Sequence, residues 1–439
     1  MTSNNIAVIG LWHLGEVFSV GLAELGHKVV GIDKNEEIVK KFNSGILPLA
    51  EPNLGDLLKK NISEQRLSFS NNYSCINKCD TVWITEDTPV NDLDEVDVSS
   101  IKQLVLSVSP YLKDGVFLVF SSQLPVGTCH EFSKLILEAR PSLKFNLAYV
   151  PENLQLGHAV KSFFEPGRIV IGAEDENVFQ KIEYIFKPIC SNFLRMNLAS
   201  AEMSKHALNS FLAASLTFTY DIADMCELVG ADILDVSRAL RSDLRIGQAA
   251  YLDASVGFSG GTLGRDLKVL LSKARGLGVE LPVVRNVFEK NFNRKNLVIK
   301  KLENFLGNLN GKKIGILGVT YKVGTSTLRR SLALEIAGGL KERGADVCAA
   351  DPMAVESEVL SSGVDKFSNK PEETIKGCVA VLLMTAWPEF KNLDPKILGG
   401  IMRSPKVFFD TRNFLNEKAD DFLENGIKYL GIGRGKYAN

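Results

Sequence analysis

The segment Gly10-Leu-Trp12-His-Leu14-Gly15 sets two glycines at a strand-to-helix turn, and Asp33 stands 18 residues beyond the second. Such a turn brings backbone N–H groups and a helix N-terminus up to a pyrophosphate, while the acid accepts a ribose 2′-hydroxyl. A carboxylate there repels a 2′-phosphate, so the cofactor expected is NAD rather than NADP. Trp12 occupies the position where a further glycine ordinarily lets the phosphates approach, and a bulky indole there damages the motif. A β-α-β unit that has lost its cofactor is the competing reading. Further along, Lys205 and Asn209 are four apart in a helix-patterned stretch, so both lie on one face and can reach the same pocket.

Periodicity supplies the elements that must hold these groups. Residues 6–10 form an apolar strand, 15–25 an amphipathic helix, and 26–33 a second strand ending in the acid. Strand-like runs follow at 81–85, 116–121, 146–150 and 168–172, separated by helix-patterned stretches. That alternation predicts a parallel sheet covered by helices on both faces. From 200 to 240 the apolar residues recur at helical spacing, as a long helix or a pair, and 263–275 and 283–305 continue the pattern. The strand-turn-helix rhythm restarts at 311–318, with a helix over 331–343 and strands over 346–350, 378–385 and 406–410. The expected class is α/β: two Rossmann-like, doubly wound parallel-sheet domains (1–198 and 306–439) joined by a central helical domain (199–305).

Composition narrows the partners. A chain of 439 residues holds two or three domains at about 150 residues each. Its 51 basic and 52 acidic residues nearly cancel, which excludes a general nucleic-acid or anionic-membrane binder. No apolar run approaches the roughly 18 residues of a membrane span, and Met1-Thr-Ser-Asn-Asn5 has no charged leader region. The seven cysteines are dispersed without metal-type spacing, Cys75 and Cys79 coming nearest. They read as buried thiols in a reducing cytoplasm, with no metal.

Several separated segments together resemble the UDP-glucose/GDP-mannose dehydrogenase family. Leu49-Ala-Glu51-Pro52-Asn-Leu54 is similar to its Glu-Pro-Gly-Leu stretch, and Thr88-Pro89 followed by Val96-Asp97-Val-Ser to its Thr-Pro…Asp-Leu-Ser. Ser122-Gln-Leu-Pro125-Val-Gly127-Thr128, Pro151-Glu152-Asn-Leu154 and Pro166-Gly-Arg168-Ile-Val-Ile-Gly172 have counterparts in the same order. So do Ala201-Glu-Met-Ser-Lys205-His-Ala-Leu-Asn209, Gly230-Ala-Asp232 and Asp243-Leu-Arg245-Ile-Gly247. The last lobe adds Gly318-Val-Thr-Tyr-Lys322, Asp351-Pro352, Trp387-Pro-Glu389-Phe and Asp410-Thr-Arg412-Asn413. The resemblance implies NAD-dependent oxidation of a nucleotide-linked hexose, a UDP-sugar being favoured, by a homodimer or higher oligomer built on the central helix.

It also implies roles, residue by residue. Lys205 and Asn209 would stabilise a developing alkoxide and hold water, with Asp266 and Glu152 assisting proton transfer. Thr88, Pro89, Ser122 and Arg329 join the glycine turn on the cofactor side. Arg245, Gly257, Phe258, Lys322 and Arg412 fall on the nucleotide-sugar side, where guanidinium forks suit phosphates. The family's nucleophile is a cysteine in Gly-Phe-Gly-Gly-Ser-Cys-Phe-x-Lys-Asp; here Gly257-Phe-Ser-Gly-Gly-Thr262-Leu-Gly-Arg265-Asp266 places Thr262 there. A hydroxyl is far more basic than a thiol and no histidine is near, so the covalent route reads as closed and Thr262 as a helix cap. Gln123, Arg265, Asp253 and the 325–331 segment depart as well. A single two-electron oxidation or an NAD-assisted epimerisation is therefore expected, rather than four-electron oxidation to an acid. The alternative is a nucleotide-sugar-binding paralogue without redox activity.

Overall fold

The computed structural model describes residues 4–437 apart from 50, 90–95, 153 and 155–156. The first three residues of the leader reading, together with Ala50 and Asn153 of the quoted segments, lie outside the described residues. The chain divides into two compact units, 1–207 and 208–439, and the helix Leu198–Val229 runs through the division.

The first unit is built on eight strands: β1 (Asn5–Ile9), β2 (Lys28–Ile32), β3 (Leu67–Ser70), β4 (Thr81–Ile84), β5 (Val116–Phe120), β6 (Phe145–Tyr149), β7 (Ile169–Gly172) and β8 (Phe193–Met196). Their order is β3-β2-β1-β4-β5-β6-β7-β8. The central strands read as unbroken apolar runs because both faces are covered. Ile6 and Val8 enter one cluster with Val17, Phe18 and Val20 of the helix His13–Glu24. Ala7 and Ile9 point the other way, into a cluster with Ile101 and Leu104 of Ser99–Val108 and with Phe132 of Thr128–Ala139. The period-2 alternation of a strand thus divides one sequence between two cores.

One expectation needs correction. The sheet is parallel up to β6, but β7 returns antiparallel, meeting β6 at the single pair Tyr149–Gly172. Beyond it β8 pairs parallel with β7, outside the span of the periodic signal.

In the second unit the strands are β9 (Lys313–Leu317), β10 (Asp346–Ala350), β11 (Lys366–Ser368), β12 (Ala380–Leu383), β13 (Val407–Asp410) and β14 (Lys428–Gly431). Every pair is parallel, in the order β11-β10-β9-β12-β13-β14, the same winding about the first strand that β1–β6 show. The helices Ile233–Ser242, Arg265–Gly276 and Pro282–Leu306 belong to this unit. Val298 and Leu302 share a core cluster with Ile314, Ile316 and Ile336. The helical stretch expected over 200–240 resolves as a pair, broken at Gly230 (φ +77°) and restarted where the Asp232 side chain accepts from Leu234 N–H at 2.9 Å.

Among the described residues no helix is long and apolar enough to cross a membrane. Five of the seven cysteines are buried, whereas Cys75 and Cys190 are half-exposed, which corrects the expectation that all are.

Candidate functional site

The turn after β1 is held tightly by two glycines. Gly10 has φ +93°, and a Cβ there would lie 2.7 Å from the Glu86 backbone; one at Gly15 would lie 1.7 Å from the Gly10 carbonyl oxygen. Neither position tolerates a side chain, so the helix starts close against the strand. Trp12 is different. Its φ of −83° and ψ of −170° are extended values open to any residue, and its indole is 50% exposed. The side chain therefore does not fill the interior of the turn. Leu14 packs its side chain against the core, so any cofactor contact falls to its backbone. The helix His13–Glu24 has no side-chain cap, which leaves its first N–H groups to an anion.

Asp33 follows β2. Its carboxylate accepts from Leu11 N–H at 2.9 Å and from Asn35 N–H at 2.8 Å. A carboxylate accepts at about four positions, so capacity remains for ribose hydroxyls. The equivalent acid of the second sheet, Asp351 after β10, is fully buried. One of its oxygens alone accepts from Val319 N–H (2.8 Å), Thr320 N–H (2.9 Å), the Thr320 hydroxyl (2.8 Å) and the Trp387 indole (3.1 Å). The two lobes share a winding, yet the first leaves its acid able to take a ligand and the second spends it internally. At the carboxyl ends of β4 and β5, where open α/β sheets bind ligands, Thr88 donates to the Gln123 carbonyl at 2.7 Å. The Ser122 hydroxyl there is buried and has no partner among the described residues, and Pro89 is exposed. Glycine cradle, uncapped helix, acid and orphan hydroxyl together fit an adenine dinucleotide.

Lys205 is 7% exposed, and its Nζ donates to the Glu152 carbonyl oxygen at 2.5 Å, with the Glu152 carboxylate 3.9 Å away. That carboxylate also accepts from Leu154 N–H at 2.6 Å. One helical turn on, Asn209 donates from Nδ2 to the Asp266 carboxylate, both side chains being buried. Thr262 sits in a π-helical turn, Gly260–Gly264, that runs straight into Arg265–Gly276. Gly264 is the N-cap of that helix, so Thr262 does not cap it, contrary to expectation. Its hydroxyl instead hydrogen-bonds Tyr321, whose phenol is held above its ordinary range by burial.

On the nucleotide-sugar side the predicted cations are less gathered. Arg245 is exposed and spends its guanidinium on Asp243 at 2.7 Å. Arg412 is also exposed, on a turn built by buried Asp410, which accepts from Arg412 N–H (3.0 Å), Leu415 N–H (2.6 Å) and the Tyr429 hydroxyl (2.8 Å). Lys322 is half-buried and Arg329 exposed, both on the segment after β9. Gly257 has φ +128°, and Phe258 packs beside Ala213, Leu267 and Val287.

Comparison with known proteins decides the family. Residues 4–190 match the UDP-glucose/GDP-mannose dehydrogenase NAD binding domain, 199–293 the central domain and 315–417 the UDP binding domain. The chain belongs to the UDP-glucose/GDP-mannose dehydrogenase family. It is 32% identical over 433 residues to UDP-glucose 6-dehydrogenase TuaD of Bacillus subtilis, covering 98% of this chain and 93% of that one. It is equally 32% identical to a UDP-glucose 6-dehydrogenase of Rickettsia bellii, over 98% and 99% of the two chains. A UDP-glucose dehydrogenase structure from Pyrobaculum islandicum superposes with a TM-score of 0.88 at 31% identity, covering 95% and 96%. This family member is thus an NAD-dependent oxidoreductase, with its NAD binding domain over 4–190.

Within this dehydrogenase, two groups beside Lys205 had no assigned role in the sequence. Glu202 accepts from Gly127 N–H at 2.5 Å and Cys129 N–H at 2.8 Å, and His206 bonds the Leu124 carbonyl at 2.8 Å. Together they fix the helix to loop 124–129 and so aim Lys205. The only signal available was their place in the same motif.

Glu16, in the first turn of the dinucleotide helix, is fully buried. Burial lifts its carboxyl to about 8, partly offset by the Leu49 backbone and reinforced by the Glu51 charge. Glu51 itself accepts from Gly157 N–H (2.9 Å), Ala159 N–H (2.7 Å) and His13 Nε2 (3.2 Å). Unfolded, Glu16 ionises near its ordinary 4.5. The folded state therefore holds its proton longer, and the associated stability is complete below that value and lost as pH rises to about 8. The change is roughly 5 kcal/mol at about 1.4 kcal/mol per pH unit. Glu16→Gln is expected to flatten the fall in Tm between pH 5 and pH 8.5; parallel slopes for the two proteins would refute this.

Proposed function

We propose that this dehydrogenase oxidises a CH–OH group of a UDP-sugar by one two-electron step and releases a carbonyl product. The bound nicotinamide supplies the hydride acceptor. Gly10, Gly15, the backbone at Trp12 and Leu14, and Asp33 would hold the dinucleotide, with Thr88, Pro89, Ser122 and Arg329 beside it. Lys205 lowers the energy of the developing alkoxide as a nearly desolvated cation, where a charge is worth more than in water. Asp266 and Glu152 are the carboxylates that can receive the hydroxyl proton, directly or through one water. Arg245, Lys322 and Arg412 would meet the diphosphate and sugar, with Gly257 and Phe258 against the ring.

One observation carries the two-electron reading: where the family's motif has its cysteine, this chain has the Thr262 hydroxyl. Thr262 holds a hydroxyl on Tyr321. Burial pushes the Cys79 thiol to about 11 and that of Cys378 to about 12, and raises those of Cys129, Cys226 and Cys348 as well. A thiolate is the nucleophile, so these sulfurs are inert. A binding-only paralogue has no use for a buried ammonium on Glu152 or a buried Asn209–Asp266 pair, each of which costs desolvation.

The three segments 1–198, 199–305 and 306–439 would serve NAD, dimer and nucleotide sugar respectively. Phe211, Phe218 and Met225 recur every seven residues on Leu198–Val229 and are 70%, 53% and 55% exposed, an apolar stripe that a second copy would cover. The test is titration of the purified chain with NAD and with UDP-sugars, followed by NADH absorbance. UDP-sugar binding without NAD binding would overturn the redox reading.

A further inference from the structure

We propose that Asn291 is a positioning residue for the sugar moiety, acting through the loop 253–258; this rests on the nucleotide-sugar reading above. Asn291 projects from Pro282–Leu306. Its Oδ1 accepts from Phe258 N–H at 2.8 Å and its Nδ2 donates to the Phe258 carbonyl at 2.9 Å, a two-point clamp on one peptide segment. From the next turn of the helix, Arg294 (3% exposed) donates from Nε to the Ser255 carbonyl at 2.7 Å and from Nη1 to Asp224 at 2.9 Å. The Ser255 hydroxyl lies 3.2 Å from the Tyr220 hydroxyl and 3.1 Å from the Gly257 carbonyl. Residues 255, 257 and 258 are thus pinned, two of them from a single helix.

Gly257 shows how close the fit is. At φ +128° it already occupies backbone space that other residues avoid, and a Cβ would stand 3.1 Å from Asn291 Oδ1 and 3.3 Å from Leu332. The clamp needs a donor and an acceptor at one reach, which asparagine supplies and alanine does not. It also has a directional consequence. Both polar groups of the Phe258 peptide are taken, so the loop presents its Phe258 ring and neighbouring side chains, not that backbone, to a ligand. Four residues on lies Thr262, and the Tyr220 hydroxyl beside Ser255 feels the charge of Arg412. Asn291 accordingly sets the segment between the diphosphate-type cation and the reacting turn, where the sugar alone would be read.

The test is calorimetric binding of UDP and of UDP-glucose to the full chain and to Asn291→Ala. The variant is expected to bind UDP-glucose about tenfold more weakly, a loss in keeping with two neutral hydrogen bonds, with UDP affinity within about twofold of the parent. Asn291→Asp, which keeps the acceptor for Phe258 N–H and loses the donor to its carbonyl, is expected to give a smaller loss of the same selectivity and serves if Asn291→Ala does not fold. Equal weakening of both ligands, or no weakening of either, overturns the proposal. A parent chain that binds neither ligand overturns the nucleotide-sugar reading itself.

Discussion

Thr262→Cys is expected to raise the yield from one NADH per nucleotide sugar toward two, and to turn a carbonyl product into a carboxylate. The π-helical turn presents residue 262 at the start of Arg265–Gly276, exposed and within reach of Tyr321. A helix N-terminus lowers the pKa of a thiol placed there, so the new cysteine would be partly ionised near neutral pH. Its sulfur can bond to the carbonyl carbon while the carbonyl oxygen takes up a proton. With an aldehyde as the carbonyl product, that adduct would lose its remaining C–H as a hydride to a second NAD and its hydroxyl proton to water, and water would then release the acid from the thioester and restore the thiol. A threonine hydroxyl has no comparable route, and the buried cysteines cannot replace it. NADH absorbance at completion, with product mass, decides the matter. A variant that still stops at one NADH would show that residue 262 does not face the carbonyl carbon.

The second large effect concerns Lys205. Lys205→Met keeps the length and much of the volume of the side chain while removing its charge. We expect kcat to fall about 10²–10³-fold, equivalent to roughly 3–4 kcal/mol, the loss typical of removing one preorganised donor from a developing oxyanion. The NAD dissociation constant should stay within about twofold, because the glycine turn and Asp33 are untouched. Equal losses in kcat and NAD affinity would mean that the lysine supports the loop at Glu152 rather than the reaction.

How much of this was legible depended on how far each interaction reaches along the chain. Gly10, Gly15 and Asp33 were readable because their roles are local and glycine is required by the backbone itself. At Trp12 the same local pattern breaks, and a motif position does not reveal that the backbone there has an ordinary φ of −83°. The central strands showed as unbroken apolar runs. Strands β3, β8, β11 and β14 did not, each being short and interrupted by a polar or charged residue: Ser68, Arg195, Lys366 and Lys428. The Asn291–Phe258 clamp spans 33 residues, and no spacing rule links its ends. The Thr262–Tyr321 bond likewise needs two loops to fold before either residue looks like a partner.

The central claim is tested most directly by running the unmodified enzyme to completion on limiting UDP-sugar with excess NAD, then counting NADH and weighing the product. One NADH per sugar and a product lighter by two hydrogens is the predicted result. Two NADH per sugar with a carboxylate product would contradict it, and so would an unchanged mass with an inverted carbon.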